Sequence, residues 1–252
     1  MIRFLVMVAF VCSACGAEVE KRDIDGVTYR TATVSADSIR VIWQDGNKVP
    51  LRTFPELSRY LKSEQLVATI AMNGGIFEPG GIPSGLLVQN GRELRPVNRN
   101  KGEGNFYLEP NGIFLIGDKG AAVIATAEYP GGHGPQRHAV QSGPLLLRND
   151  RIHPSFNPSS ENRLHRNGIG VRPDGKVVLV ITDFHSTKFP NLHEFARAFR
   201  TLGCRDALFL DGDLSQMRTG NELEKPGNRL GSFIVVVSNS GKTPLSPPPA
   251  RP

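Results

Sequence analysis

Short apolar runs broken by turn residues dominate the hydrophobic pattern of this chain, and helical spacing is confined to two places. Val27–Val34 and Ile39–Trp43 have strand composition and are joined by Ser35-Ala36-Asp37, which predicts a hairpin. Leu66–Met72 reads as a buried strand. Two hairpins follow, Gly85–Gln89 with Arg92–Leu94 about an Asn90-Gly91 turn, and Asn105–Glu109 with Ile113–Ile116 about Pro110-Asn111-Gly112. Ala121–Thr126 and Leu145–Leu147 add strands. Asn167–Val171 and Lys176–Ile181 flank the turn Pro173-Asp174-Gly175, and Ala207–Leu210 and Ser232–Val237 complete the set. Helical spacing appears in Thr53–Lys62, with Phe54, Leu57, Tyr60 and Leu61 on one side and Thr53 as the cap. It appears again after Pro190, where Asn191 caps, Glu194 stands three residues on, and Leu192, Phe195, Phe199 and Leu202 form the apolar face up to Gly203.

The two ends break this pattern. Residues 1–16 hold Arg3, the apolar run Phe4–Val11 and then CSACGA, which reads as an export signal too short to remain as a membrane span. Cys15, after Ser13-Ala14, also resembles the cysteine of a bacterial lipoprotein box, although Cys12 stands where that box usually has an aliphatic residue. Both an unlipidated exported form and a lipid anchor at Cys15 stay open, with a periplasmic or cell-envelope location expected in either case. Residues 17–239 then form the folded region, and residues 240–252 a proline-rich tail.

Composition adds limits rather than an identity. In 252 residues, 27 Gly and 19 Pro favour many turns and short strands over a helical bundle. The net charge of +6 favours anionic partners such as phosphates. No basic helix, zinc-finger spacing or aromatic-basic repeat points to nucleic acid. Cys204 is alone beyond the export segment, so it reads as a small buried hydrophobe rather than a disulfide partner.

Candidate chemistry gathers where strands end. Asp211-Gly212-Asp213 places two carboxylates at the end of the Ala207 strand, followed by Ser215 and Gln216. Thr182-Asp183-Phe184-His185 ends the strand before the second helix. If these two strands are parallel neighbours, Asp183 and Asp211 fall at one edge of the sheet. A ligand site and a solvated Asp-Gly-Asp turn both fit the first motif. Asn73-Gly74-Gly75 follows the Leu66 strand, where glycines let backbone amides approach a ligand. His133, Arg137, His138 and Gln141 precede Ser142-Gly143-Pro144, without zinc-ligand spacing and without a serine-nucleophile elbow. Arg148–Arg166 is a basic, proline-interrupted loop.

Taken together, these pieces resemble the phosphodiester glycosidase family, the domain of the mammalian uncovering enzyme (NAGPA type) and of many exported bacterial proteins. The match runs from Leu66 to Val237 through Asn73-Gly74-Gly75-Ile76-Phe77, Ala139-Val140-Gln141-Ser142-Gly143-Pro144-Leu145-Leu146, Arg166-Asn167-Gly168-Ile169-Gly170, Thr182-Asp183-Phe184-His185 and Asp211-Gly212, in family order. Two segments depart from the family pattern: Asp213-Leu214-Ser215-Gln216 replaces a glycine-serine run, and Phe184-His185 stands where Gly-Arg is common.

The resemblance implies an α+β fold with a large mixed β-sheet and a few flanking helices in one domain, and hydrolysis of a sugar 1-phosphodiester. Asp211 is then expected as general base or electrostatic stabiliser. Asp183 or Asp213 would supply a second carboxylate, and His185 could assist near neutral pH. Arg166 is expected to clamp the phosphate, or else to form a structural ion pair with one of the acids. Asn73, Gly74, Gly75, Ser142, Gly143 and Gln216 are expected around the sugar and phosphate oxygens. No cofactor is required by this chemistry. The alternatives are a metal-assisted phosphodiesterase, with Asp211, Asp213 and Asp183 on magnesium or calcium, and a glycan-binding protein without turnover.

Overall fold

The computed structural model describes residues 17–131 and 136–238. Residues 1–16 with Cys12 and Cys15, on which the expected export signal falls, His133, and the proline-rich tail lie outside these residues.

A seven-stranded sheet runs in the order Glu20–Ile24, Val27–Val34, Val177–Thr182, Asn167–Val171, Asp206–Asp211, Leu145–Arg148, Arg151–Ile152. A five-stranded sheet is ordered Gly120–Ala125, Gly112–Gly117, Gln136–Ser142, Leu87–Gln89, Arg92–Arg95. A four-stranded sheet is ordered Met217–Thr219, Ala68–Asn73, Phe233–Val237, Ile39–Ile42. Two α-helices, Phe54–Ser63 and Leu192–Thr201, complete an α+β architecture. Both begin in the capping boxes that Thr53-Glu56 and Asn191-Glu194 predict.

The expected mixed sheet is antiparallel instead: every pairing in the seven-stranded sheet runs that way. The reason lies in one connection. The Leu192–Thr201 helix returns the chain so that Val177–Thr182 and Asp206–Asp211 point the same way, but Asn167–Val171 sits between them and pairs antiparallel with both. They are thus not neighbours, yet both still deliver their acids to one edge. Two further differences are Asn105–Tyr107, a 3-10 turn where a strand is expected, and the expected hairpin of Val27–Val34 with Ile39–Trp43, whose strands fall in different sheets and pair with other partners.

Strand alternation divides the core. On Val177–Thr182, Val178 and Val180 face the Leu192–Thr201 helix with Tyr29, Phe209, Phe195 and Phe199. Val177, Leu179 and Ile181 face the central core, together with Ile169, Leu208 and Leu210, against Ile70, Met72 and Ile234 of the four-stranded sheet and Phe114 and Val140 of the five-stranded one. Burial of both faces explains why these strands read as continuous apolar runs despite antiparallel pairing. Gly168 and Gly170 let the helix close on the sheet: a β-carbon on Gly170 would stand 2.7 Å from both Phe199 Cδ1 and Cys204 Sγ. Cys204 is buried there, and burial pushes its thiol up to about 12, so it packs as a hydrophobe.

Candidate active site

Three strand ends converge at one edge of the seven-stranded sheet. Asn167 lies opposite Ile181 on one side and Asp211 on the other, with Asp183 just beyond the end of the Val177–Thr182 strand. Asp211 is partly buried, and its Oδ1 accepts from the N–H of Gly212 at 2.8 Å. Burial, reinforced by Asp213, pushes its carboxyl up to about 6 against the pull of that N–H. Asp213 is exposed. Among the described residues, neither Asp211 nor Asp213 has a cationic side chain within ion-pair distance.

Asp183 is in the opposite condition. Its buried carboxylate meets Lys21 Nζ at 2.9 Å and accepts from the His185 N–H at 2.8 Å. Burial alone would raise it, but these donors outweigh burial and hold it below the usual carboxylate range. The two acids therefore differ in kind: Asp183 is paired and folds its own loop, whereas Asp211 has no cationic partner and keeps its proton to a higher pH than an ordinary carboxyl. The His185 side chain is exposed beside them.

Behind the acids lies a buried amide network. Asn167 Nδ2 donates to the main-chain oxygen of Asn73 at 2.9 Å and to its Oδ1 at 3.1 Å. Asn73 Oδ1 also accepts from the Gln216 N–H at 2.8 Å, and Ser215 Oγ donates to Asn167 Oδ1 at 3.0 Å. Two sheets and the turn after Asp211 are thereby locked together. The Gln216 side chain itself turns away, its Oε1 accepting from Arg218 at 2.9 Å.

The glycines and serine of the other motifs form the floor of this edge. The Gly74 N–H donates to the Ser232 carbonyl at 2.8 Å. A β-carbon on Gly75 would stand 2.8 Å from the Gln141 carbonyl oxygen, and one on Gly143 would stand 2.7 Å from Asn111 Cβ. Ser142 Oγ donates to the Leu210 carbonyl at 2.9 Å and accepts from the Ile76 N–H at 3.2 Å. Ser142 thus bonds the strand that carries Asp211 and Asn73 bonds its neighbour Asn167, whereas Gly74, Gly75 and Gly143 pack on Ser232, Gln141 and Asn111, and all of these contacts lie within the protein.

Arg166 is only 1% exposed. Its Nε donates to the Pro190 carbonyl at 3.2 Å and Nη2 to the Asn162 carbonyl at 3.0 Å, and the guanidinium lies 5.7 Å from the Phe209 ring centroid. Burial pushes it down to about 10, although Asp213 and Tyr29 act the other way. The alternative of a structural ion pair is not formed among the described residues, so the buried cation is held by two carbonyl dipoles and the face of Phe209, with Asp213 acting from beyond ion-pair distance.

Asn167, Ser215, Lys21 and His165 also belong to this edge, although the sequence motifs did not single them out as site residues. Asn167 had a usable signal: it is a polar residue on the strand face otherwise occupied by Ile169 and Val171. Lys21 had none, because its partner is 162 positions away. Among the described residues, no group of three or more His, Cys, Asp or Glu side chains is arranged to hold a metal ion, so Asp211, Asp213 and Asp183 are not gathered as a ligand set.

The sequence profile described as phosphodiester glycosidase matches residues 67–237. The Escherichia coli K12 protein YigE, described as uncharacterized, is 30% identical over 187 residues, which cover 74% of this chain and 72% of that protein. The catalytic domain of zebrafish N-acetylglucosamine-1-phosphodiester alpha-N-acetylglucosaminidase, auto-inhibited by its pro-peptide, superposes with a TM-score of 0.61 at 16% identity, covering 88% of this chain and 82% of that one. A putative exported protein from Burkholderia pseudomallei superposes with a TM-score of 0.52 at 12% identity, covering 83% and 74%.

Proposed function

Because this chain belongs to the phosphodiester glycosidase family, we propose that it is an exported hydrolase that cleaves a sugar 1-phosphodiester and releases the sugar from the phosphate. The observation that carries this reading is Arg166. A buried guanidinium without a carboxylate partner is costly in a protein interior, and an arriving phosphate would offset that cost with the bidentate geometry that guanidinium prefers.

Asp211 supplies the second half of the chemistry. In its ionised form it takes a proton from water as the water oxygen attacks the anomeric carbon, and the bond from that carbon to the phosphate oxygen breaks. The phosphate departs as a monoester anion, a leaving group stable enough to need little protonation. A carboxyl at about 6 is matched to base work near neutral pH. Asp213, exposed two residues on, adds negative charge where oxocarbenium character develops, and His185 is placed to exchange protons with solvent. Asp183 positions the loop that carries His185. Asn73 and Ser142 hold the acid-bearing strand and turn in place.

The zebrafish enzyme's name specifies N-acetylglucosamine on a phosphodiester, so that sugar is the first substrate to try. Export is supported by the pattern of residues 1–16, and a lipid anchor at Cys15 is the form that would keep the enzyme at a membrane.

The test is a four-way titration of wild type and Arg166→Lys with a sugar 1-phosphodiester and with its neutral glycoside counterpart. Loss of the two-pronged donor should weaken the diester roughly tenfold or more and leave the neutral glycoside unchanged. Equal weakening of both ligands, or a wild-type preference for the neutral glycoside, would remove phosphate from the reading.

A further inference from the structure

We infer that Phe184 is a sugar-binding platform that takes the apolar face of a pyranose at the mouth of this site. The inference deepens the reading above by assigning the contact that holds the sugar.

Phe184 follows Asp183 directly and is 61% exposed. The other large apolar side chains exposed among the described residues, Val49, Val67, Ile82 and Leu214, are all aliphatic. Its ring is not free to turn away. One face stacks on His165 at a centroid distance of 4.0 Å and an interplanar angle of 13°, and Phe189 meets His165 edge-on at 6.2 Å. The opposite face is left toward solvent. An aromatic ring pinned on one side and open on the other is a ready platform for a flat, partly apolar ligand.

The platform abuts the acids. The carbonyl oxygen of His165 is 3.9 Å from where a β-carbon on Gly212 would lie, so the residue that carries the stack runs past the turn between Asp211 and Asp213, and both Asp213 and Asp183 act electrostatically on its ring. His165 is buried beneath this ring. A buried imidazole used in this way contributes its flat face, and burial lowers its proton affinity even though the Thr182 backbone, Asp213 and Asp183 act the other way.

The surroundings select the occupant. An exposed aromatic face with the exposed Asp213 close enough to act on the His165 ring beneath it suits a ligand with C–H bonds on one face and hydroxyl donors at its edge, which describes a pyranose.

The experiment uses neutral probes, methyl α-glucopyranoside and methyl N-acetyl-α-glucosaminide, titrated into wild type, Phe184→Ala, Phe184→Trp and the distant surface control Val67→Ala, with saturation-transfer NMR to locate the contact. The expected result is affinity lowered about tenfold for at least one probe in Phe184→Ala, kept within about twofold in Phe184→Trp and unchanged in Val67→Ala. Saturation should fall on C–H protons of one pyranose face. The inference is overturned if Phe184→Ala binds both probes like wild type, if Phe184→Trp is as weak as Phe184→Ala, or if wild type binds neither probe. Since neither probe carries phosphate, failure of the platform and failure of diester hydrolysis are separate outcomes: wild type that binds the glycosides without cleaving any diester keeps the platform and loses the hydrolase. Melting temperatures of the variants confirm that each is folded.

Discussion

Asn73 and Asn167, 94 positions apart, are joined side chain to side chain at 3.1 Å, and the same Asn73 oxygen receives the N–H of Gln216 at 2.8 Å. One amide oxygen thus fixes the strand beside Asp211 and the turn after it. Both asparagines are buried, so removing one partner leaves the other unsatisfied.

Asn167→Ala should therefore destabilise the protein by about 1–3 kcal/mol, lowering the melting temperature by several degrees. Hydrogen exchange at the Gln216 amide should accelerate with it. An unchanged melting temperature together with an unchanged Gln216 amide would show that the network does not hold the turn.

The two glycines after Asn73 should respond differently to a methyl group. A β-carbon on Gly75 meets the Gln141 carbonyl oxygen at 2.8 Å, which is backbone and cannot yield without moving a strand. A β-carbon on Gly74 meets chiefly Ser232 Oγ, at 2.3 Å, an atom with no hydrogen-bond partner. Gly75→Ala should cost about 1–3 kcal/mol or more. Gly74→Ala should cost less and be largely rescued by Ser232→Ala. Equal costs in urea unfolding, or no rescue, would contradict this packing.

Asp211 links stability to pH. Its carboxyl is raised from an ordinary 3.8 to about 6 in the fold, so the native state holds this proton more tightly than the unfolded chain does. The associated stability is fully present below about pH 4 and is lost as pH rises through 6. Above that, ionised Asp211 destabilises the fold by something on the order of 1–3 kcal/mol. Asp211→Asn keeps the acceptor for the Gly212 N–H and removes the charge. It should melt a few degrees above wild type at pH 7.5, with the difference closing near pH 4, while kcat falls on the order of 10²-fold or more. A variant that melts below wild type at pH 7.5, or one that turns over normally, would contradict the role given to this acid.

Much of this edge was legible in the sequence because it is written in local signals. Both helix starts follow from capping residues three apart, and Asp211 and Asp183 follow from apolar runs that end in acids. What remained hidden depends on distant pairing. Nothing near Lys21 announces Asp183, and the side chain of Asn73 looks like a ligand contact until its partner Asn167 across the fold is seen. The relation between the acid-bearing strands was half visible. Their shared direction follows from the intervening helix, but the insertion of Asn167–Val171 between them is a matter of tertiary packing.

Isotope tracing tests the central claim most directly. A sugar 1-phosphodiester, beginning with the N-acetylglucosamine diester, is hydrolysed by the wild-type protein in ¹⁸O-water, with Asp211→Asn in parallel. Attack at the anomeric carbon predicts ¹⁸O in the released sugar, an unlabelled phosphomonoester, and little product from the variant. Label in the phosphate would mean that the phosphorus–oxygen bond is cut and that the protein is a phosphodiesterase, and label-free substrate recovered intact from the wild type would mean that it is not this hydrolase at all.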